Sequence, residues 1–99
     1  MTYQCISIEQ AIGIINDGEA TILDIRDPAS YAQGNVANAI HVSSDNVEDV
    51  IANADKSKPL IIYCYHGNSS KNAADYFASR GFEKAYSVDG CFEEWKLKL

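Results

Sequence analysis

Ninety-nine residues, 46% of them hydrophobic, are enough for one compact domain over residues 1–99 with its own core, and for no more. A formal charge of −6 argues against nucleic acid or an anionic membrane as the main partner, and no apolar run approaches the roughly 20 residues needed to cross a bilayer. The cysteines Cys5, Cys64 and Cys91 are odd in number and widely spaced, which fits neither a disulfide framework nor a paired zinc motif; with no basic, apolar leader in residues 1–6, the expected setting is a reducing cytoplasm.

In chain order, Gln4, Cys5 and Ile6 read as a short strand. Ser7 followed three residues later by Gln10 predicts a capping box, opening a helix that carries Ile8, Ile12 and Ile15 on one face and stops at Asp17-Gly18. Residues 21–25 predict a strand. Pro28, placed where its missing N–H costs nothing, starts a short helix that ends near Gly34. Residues 39–42 predict another strand, and Asp45 or Asn46 is the expected cap of a helix carrying Val47, Val50 and Ile51. The polar turn at 56–59 precedes an apolar strand, residues 60–64. A helix then runs from Ser69 or Ser70 through Arg80, with Ala73, Ala74, Phe77 and Ala78 at helical spacing and Gly81 as its C-cap. Residues 85–88 predict the last strand, and Gly90 opens a final helix containing Phe92 and Trp95. About five strands alternating with about five helices imply an α/β domain, with a mostly parallel sheet covered by helices on both faces.

Within this frame the segment Cys64-Tyr65-His66-Gly67-Asn68-Ser69-Ser70 stands out. A cysteine at the C-terminal end of a buried strand, joined to a helix by a Gly/Asn/Ser loop, is where an α/β protein puts its chemistry. Tyr65, His66, Gly67, Asn68, Ser69 and Ser70 each offer a backbone N–H, and Gly67 and Asn68 tolerate the left-handed angles that curl such amides inward. With the positive end of the helix dipole, this cradle favours an anion, and a thiolate is one. The cradle would serve a persulfide equally. Cysteine phosphatases use a similar loop but place an arginine six residues after the cysteine to clamp phosphate; here that residue is Ser70, and the loop holds no Arg or Lys. A smaller, softer group such as one sulfur atom fits better.

The loop resembles the active-site loop of the rhodaneses, the thiosulfate sulfurtransferases, and especially that of their small single-domain bacterial members. Three further segments support the likeness. Residues 23–27 (LDIRD) resemble the family's Asp-x-Arg signature, residues 33–40 (QGNVANAI) its Gly-His-Ile-x-Gly-Ala segment, and residues 89–95 (DGCFEEW) its C-terminal Gly-Gly-Phe/Trp-x-x-Trp signature. Asn35, Asn38 and Cys91 depart from the usual His, Gly and Gly. The resemblance implies a rhodanese-like fold and a double displacement through a Cys64 persulfide, with thiosulfate as donor and cyanide or a small thiol, such as a dithiol, as acceptor. A thioredoxin-like protein is one such dithiol. It implies no metal and no organic cofactor, no nucleic acid and no membrane. A cysteine phosphatase or arsenate reductase and a catalytically silent interaction module are the alternatives.

Each candidate also has a plainer reading. His66 is either a tuner of the thiolate or, more simply, an exposed loop residue, and Asn68, Ser69 and Ser70 are ordinary helix-start residues whose amides matter even where their side chains do not. Asp24 and Arg26, at the catalytic edge of the second strand, are supporting residues: a salt bridge that fixes the loops is preferred to direct attraction of an anion. Lys71 reads as solvated surface and Glu93-Glu94 as a wet helix face. Cys5 reads as inert core. A resolving thiol at Cys91 is the minority reading.

Overall fold

The computed structural model describes residues 3–18, 20–26, 28–34, 39–43, 45–63 and 68–88. Five strands, β1 (Gln4–Ile6), β2 (Thr21–Asp24), β3 (Ile40–His41), β4 (Leu60–Tyr63) and β5 (Ala85–Val88), form one sheet in the order β1-β5-β4-β2-β3. Every pairing among them is parallel. The helices are α1 (Ile8–Asn16), α2 (Pro28–Gln33), α3 (Val47–Asn53) and α4 (Asn68–Ser79). The final helix expected around Phe92 and Trp95, with Glu93, Glu94 and Cys91, lies outside the described residues.

Strand alternation divides the core between the two faces of the sheet. Ile6, Ile22, Ile61, Tyr63 and Val88 face α1, which contributes Ile8 and Ala11 with Ile12 and Ile15 beside them, and Tyr31 of α2 packs on the same side. Leu23, Leu60, Ile62 and Ala85 face the other way, against Ile51 of α3 and Ala74, Phe77 and Ala78 of α4. The central strand β4 is buried along its whole length, as a parallel strand sandwiched between helices must be.

Local chemistry sets most of the boundaries. The capping box forms as expected: the Gln10 N–H donates to Ser7 Oγ at 3.1 Å and the Ser7 N–H to Gln10 Oε1 at 2.9 Å. Gly18 then ends the first unit with φ +100°, an angle L side chains avoid. At the end of α4, Phe82 N–H donates to Phe77 O and Gly81 N–H to Ala78 O, with Gly81 at φ +104°. That is the Schellman bond pair, and its accompanying apolar contact is the edge-on packing of Phe77 and Phe82, ring centroids 5.4 Å apart. Lys56 closes the end of α3: its Nζ donates to Ile51 O at 2.8 Å and lies 5.3 Å from the Phe82 ring centroid.

Two expectations need correction. Asn46 does occupy the N-cap of α3, but its side chain makes no cap bond. It turns back instead, accepting from Ser43 N–H at 2.7 Å and donating to His41 O at 2.8 Å, so it ties β3 to the turn before α3. Cys5 is exposed, not core. β1 is an edge strand of three residues, and of these only Ile6 is buried. No helix among the described residues is long and apolar enough to cross a membrane.

Candidate active site

The connections leaving β2 and β4, which are neighbours in the sheet, diverge: α2 packs through Tyr31 on one face and α4 on the other. Such a divergence opens a crevice beyond the carboxyl ends of the two strands, the usual binding place in an open α/β sheet. Asp24 and Tyr63 are the last residues of these strands and stand side by side in register.

A buried polar network braces that end of the sheet. Arg26 donates to Asp24 through Nε (3.1 Å to each carboxylate oxygen) and Nη2 (2.7 Å to Oδ2), and its backbone N–H reaches Asp24 Oδ1 at 2.9 Å. The Tyr63 hydroxyl donates to Asp24 Oδ2 at 2.7 Å. The Asp24 carboxylate therefore meets donors on both oxygens, as a buried charge must. Arg26 Nη2 also bonds Gly34 O, its guanidinium carbon lies 5.5 Å from the Tyr63 ring centroid, and its carbonyl accepts from His41 Nε2 at 2.7 Å. Side-chain exposures of 3% for Arg26 and 0% for Asp24 leave no face of the pair for substrate. Burial, the largest single influence, pulls the Arg26 pKa down, but hydrogen bonding and charge from Asp24, then from Tyr63, carry it above its ordinary value, so the side chain stays a cation. The salt bridge preferred on sequence grounds is thus present, and Arg26 is not presented to an anion.

α4 starts at Asn68, one residue before the earlier of the two expected starts. Its first four N–H groups, like those of any helix, have no acceptor within the helix and give that end a partial positive charge. Cys64, Tyr65, His66 and Gly67 lie outside the described residues; Cys64 follows Tyr63 directly in the chain. Of the predicted loop residues, Ser70 is described in full. It is completely buried, and its Oγ lies 2.7 Å from the Oγ of Ser87 on β5, also completely buried. Its hydroxyl faces the sheet instead of capping the helix, so Ser70 can offer an external anion its amide alone.

Sequence reasoning missed Tyr63 and Ser87. Each had a signal: a tyrosine closing an otherwise aliphatic strand, and a serine inside an apolar one, both needing a partner once buried. A cavity of about 510 Å³ lies elsewhere, between the β3 edge and α3, lined in part by Thr21, Ile40, Asn46, Asn53 and Asp55. Its amides and Asp55 already bond neighbours in the chain, and it lies away from the carboxyl ends of the strands. Among the described residues no group of three or more His, Cys, Asp or Glu side chains is placed to hold a metal ion.

Residues 7–98 match the rhodanese-like domain family. The chain is 48% identical over 95 residues to thiosulfate sulfurtransferase GlpE of Pseudomonas paraeruginosa, covering 96% of this chain and 86% of that one. It is 46% identical over 94 residues to the protein of the same name from Pseudomonas entomophila, covering 95% and 85%. Among solved structures, the rhodanese-like domain of an Anabaena protein superposes with a TM-score of 0.82 at 25% identity, over 99% of this chain and 76% of that one.

Proposed function

The chain belongs to the rhodanese-like domain family, and from that premise we propose that it is a thiosulfate sulfurtransferase with Cys64 as the sulfur carrier. The relatives that share nearly half its residues over almost its whole length carry that activity in their name. The thiolate of Cys64 attacks the outer sulfur of thiosulfate. A new S–S bond forms, the old one breaks, and sulfite leaves with the bonding pair. An acceptor then attacks the outer sulfur of the persulfide and the Cys64 thiolate is returned. Cyanide leaves as thiocyanate; a dithiol, free or on a thioredoxin-like protein in the cytoplasm, takes the sulfur as its own persulfide. A nucleophile that carries the group between donor and acceptor splits one transfer into two easier steps.

The observation that carries this reading is the pairing of a braced strand end with a helix start four residues past the cysteine. Tyr63, held by Asp24, fixes the chain just before Cys64, and α4 begins at Asn68. Tyr65, His66, Gly67, Asn68, Ser69 and Ser70 contribute their amides to the sulfur-borne charge, and Asp24 and Arg26 support from behind. Ser70 also weighs against phosphoryl transfer: where a phosphatase needs an arginine reaching the substrate, this chain has a buried hydroxyl bonded to the sheet.

The test is thiosulfate:cyanide transfer by the parent protein, Cys64→Ser and Cys91→Ser side by side, with intact mass after thiosulfate alone. The parent and Cys91→Ser gain one sulfur atom and turn over; Cys64→Ser does neither. Turnover by Cys64→Ser, or a parent that never gains the atom, removes the proposal.

A further inference from the structure

Ser87 is the one fully buried polar residue among the described strand residues on its face of the sheet. Around it that face is built from Leu23, Leu60, Ile62 and Ala85 under Ala74, Phe77 and Ala78. Alanine would fill the position without leaving a polar atom to satisfy, so packing alone does not call for serine. The hydroxyl is matched instead to Ser70, in the first turn of α4 and 17 residues away in sequence. This bond is the one side-chain hydrogen bond that ties that turn to β5 among the described residues. In register Ser87 stands beside Ile62, two residues before Cys64 in the chain.

We propose that Ser87 is a positioning residue for sulfur transfer: through Ser70 it holds the first turn of α4 against the sheet. The proposal rests on the sulfurtransferase reading above and adds to it a residue distant in sequence from the active loop. Ser87 touches no substrate. It acts on the reaction by fixing how the amides at the start of α4 are aimed and how much positive potential they supply.

The experiment measures alkylation of Cys64 by iodoacetamide against pH, read on the peptide containing Cys64, together with kcat/KM for thiosulfate:cyanide transfer. Ser87→Ala is expected to raise the apparent thiol pKa and to lower kcat/KM by about tenfold, the scale of one net hydrogen bond. Ser87→Thr keeps the hydroxyl and restores both. Ser70→Ala reproduces the Ser87→Ala phenotype, and the double variant adds little to either, because one bond is lost in all three. A packing role alone would shift stability and leave the pH profile in place. An unchanged pH profile with kcat/KM within about twofold of the parent overturns the proposal, and so do fully additive effects of Ser70→Ala and Ser87→Ala. Should Ser87→Ala not fold, the comparison of Ser70→Ala with Ser87→Thr decides by the same criteria. A parent protein that transfers no sulfur would remove the sulfurtransferase reading itself; an active parent with indifferent variants removes only the role of Ser87.

Discussion

Asp24→Ala is the sharpest test of the brace at the carboxyl end of the sheet. The substitution removes the acceptor for the Arg26 guanidinium, the Arg26 backbone N–H and the Tyr63 hydroxyl at once. Arg26 cannot swing into water without leaving Gly34 and the Tyr63 ring. Breaking a buried pair by removing one partner costs about 3–5 kcal/mol, a large part of the roughly 5–15 kcal/mol that holds a small domain folded. Tyr63→Phe, which removes one hydrogen bond to the same carboxylate, should cost about 2 kcal/mol. Urea titration followed by far-UV circular dichroism measures both, with the slope checked for constancy. Salt provides the internal control. Taking the ionic strength from about 0.1 to 1 M shortens the screening length from about 10 to 3 Å, which should hardly touch Asp24–Arg26 but weaken the exposed Arg80–Glu48 pair at 2.9 Å. A loss below about 1 kcal/mol for Asp24→Ala, the size of an ordinary surface pair, would refute the claim that this network holds the site.

Gly81→Ala should destabilise by about 1–2 kcal/mol, because an L residue is strained in the left-handed region and because the added Cβ would stand 3.3 Å from Lys56 Cδ. Gly18→Ala, at φ +100° with nothing within 4 Å, should cost less; thermal melts that rank the two the other way would discredit the crowding argument. The Glu48 carboxyl is held below its ordinary value first by hydrogen bonds from Arg80, then by Tyr76. Its contribution to stability is therefore complete above the ordinary carboxylate pKa and is lost as pH falls through the lowered folded value. Glu48→Gln should flatten the acid side of a stability–pH curve, and an undiminished acid slope would contradict that assignment. Residues 64–70 contain no Arg or Lys, Arg26 is buried against Asp24, and the chain carries a net charge of −6. Thiosulfate should accordingly bind weakly, and a Michaelis constant in the low-micromolar range would disprove this.

What could be read along the chain was local. The Ser7–Gln10 box, the φ-positive stops at Gly18 and Gly81, the apolar strand at 60–63 and the helical spacing of Ala74, Phe77 and Ala78 depend on neighbours within one turn or one strand. Each of these formed where expected, the strand through Tyr63; its expected last residue, Cys64, lies outside the described residues. The Asp24–Arg26 bridge belongs to the same class, since its partners are two residues apart. Three other features were decided only when distant segments met, and a fourth, at Asn46, by a carbonyl five residues back. Cys5 is exposed because β1 sits at the sheet edge, a fact of strand order. Asn46 gives up its cap because the His41 carbonyl comes within reach. Tyr63 finds Asp24 across 39 residues, and Ser70 finds Ser87 across 17. Periodicity along a chain reports which face a side chain takes, whereas the partner on that face is chosen by which strands lie side by side. The tertiary structure therefore supplied the bracing hydroxyls of this site, and the residue pattern supplied the loop they brace.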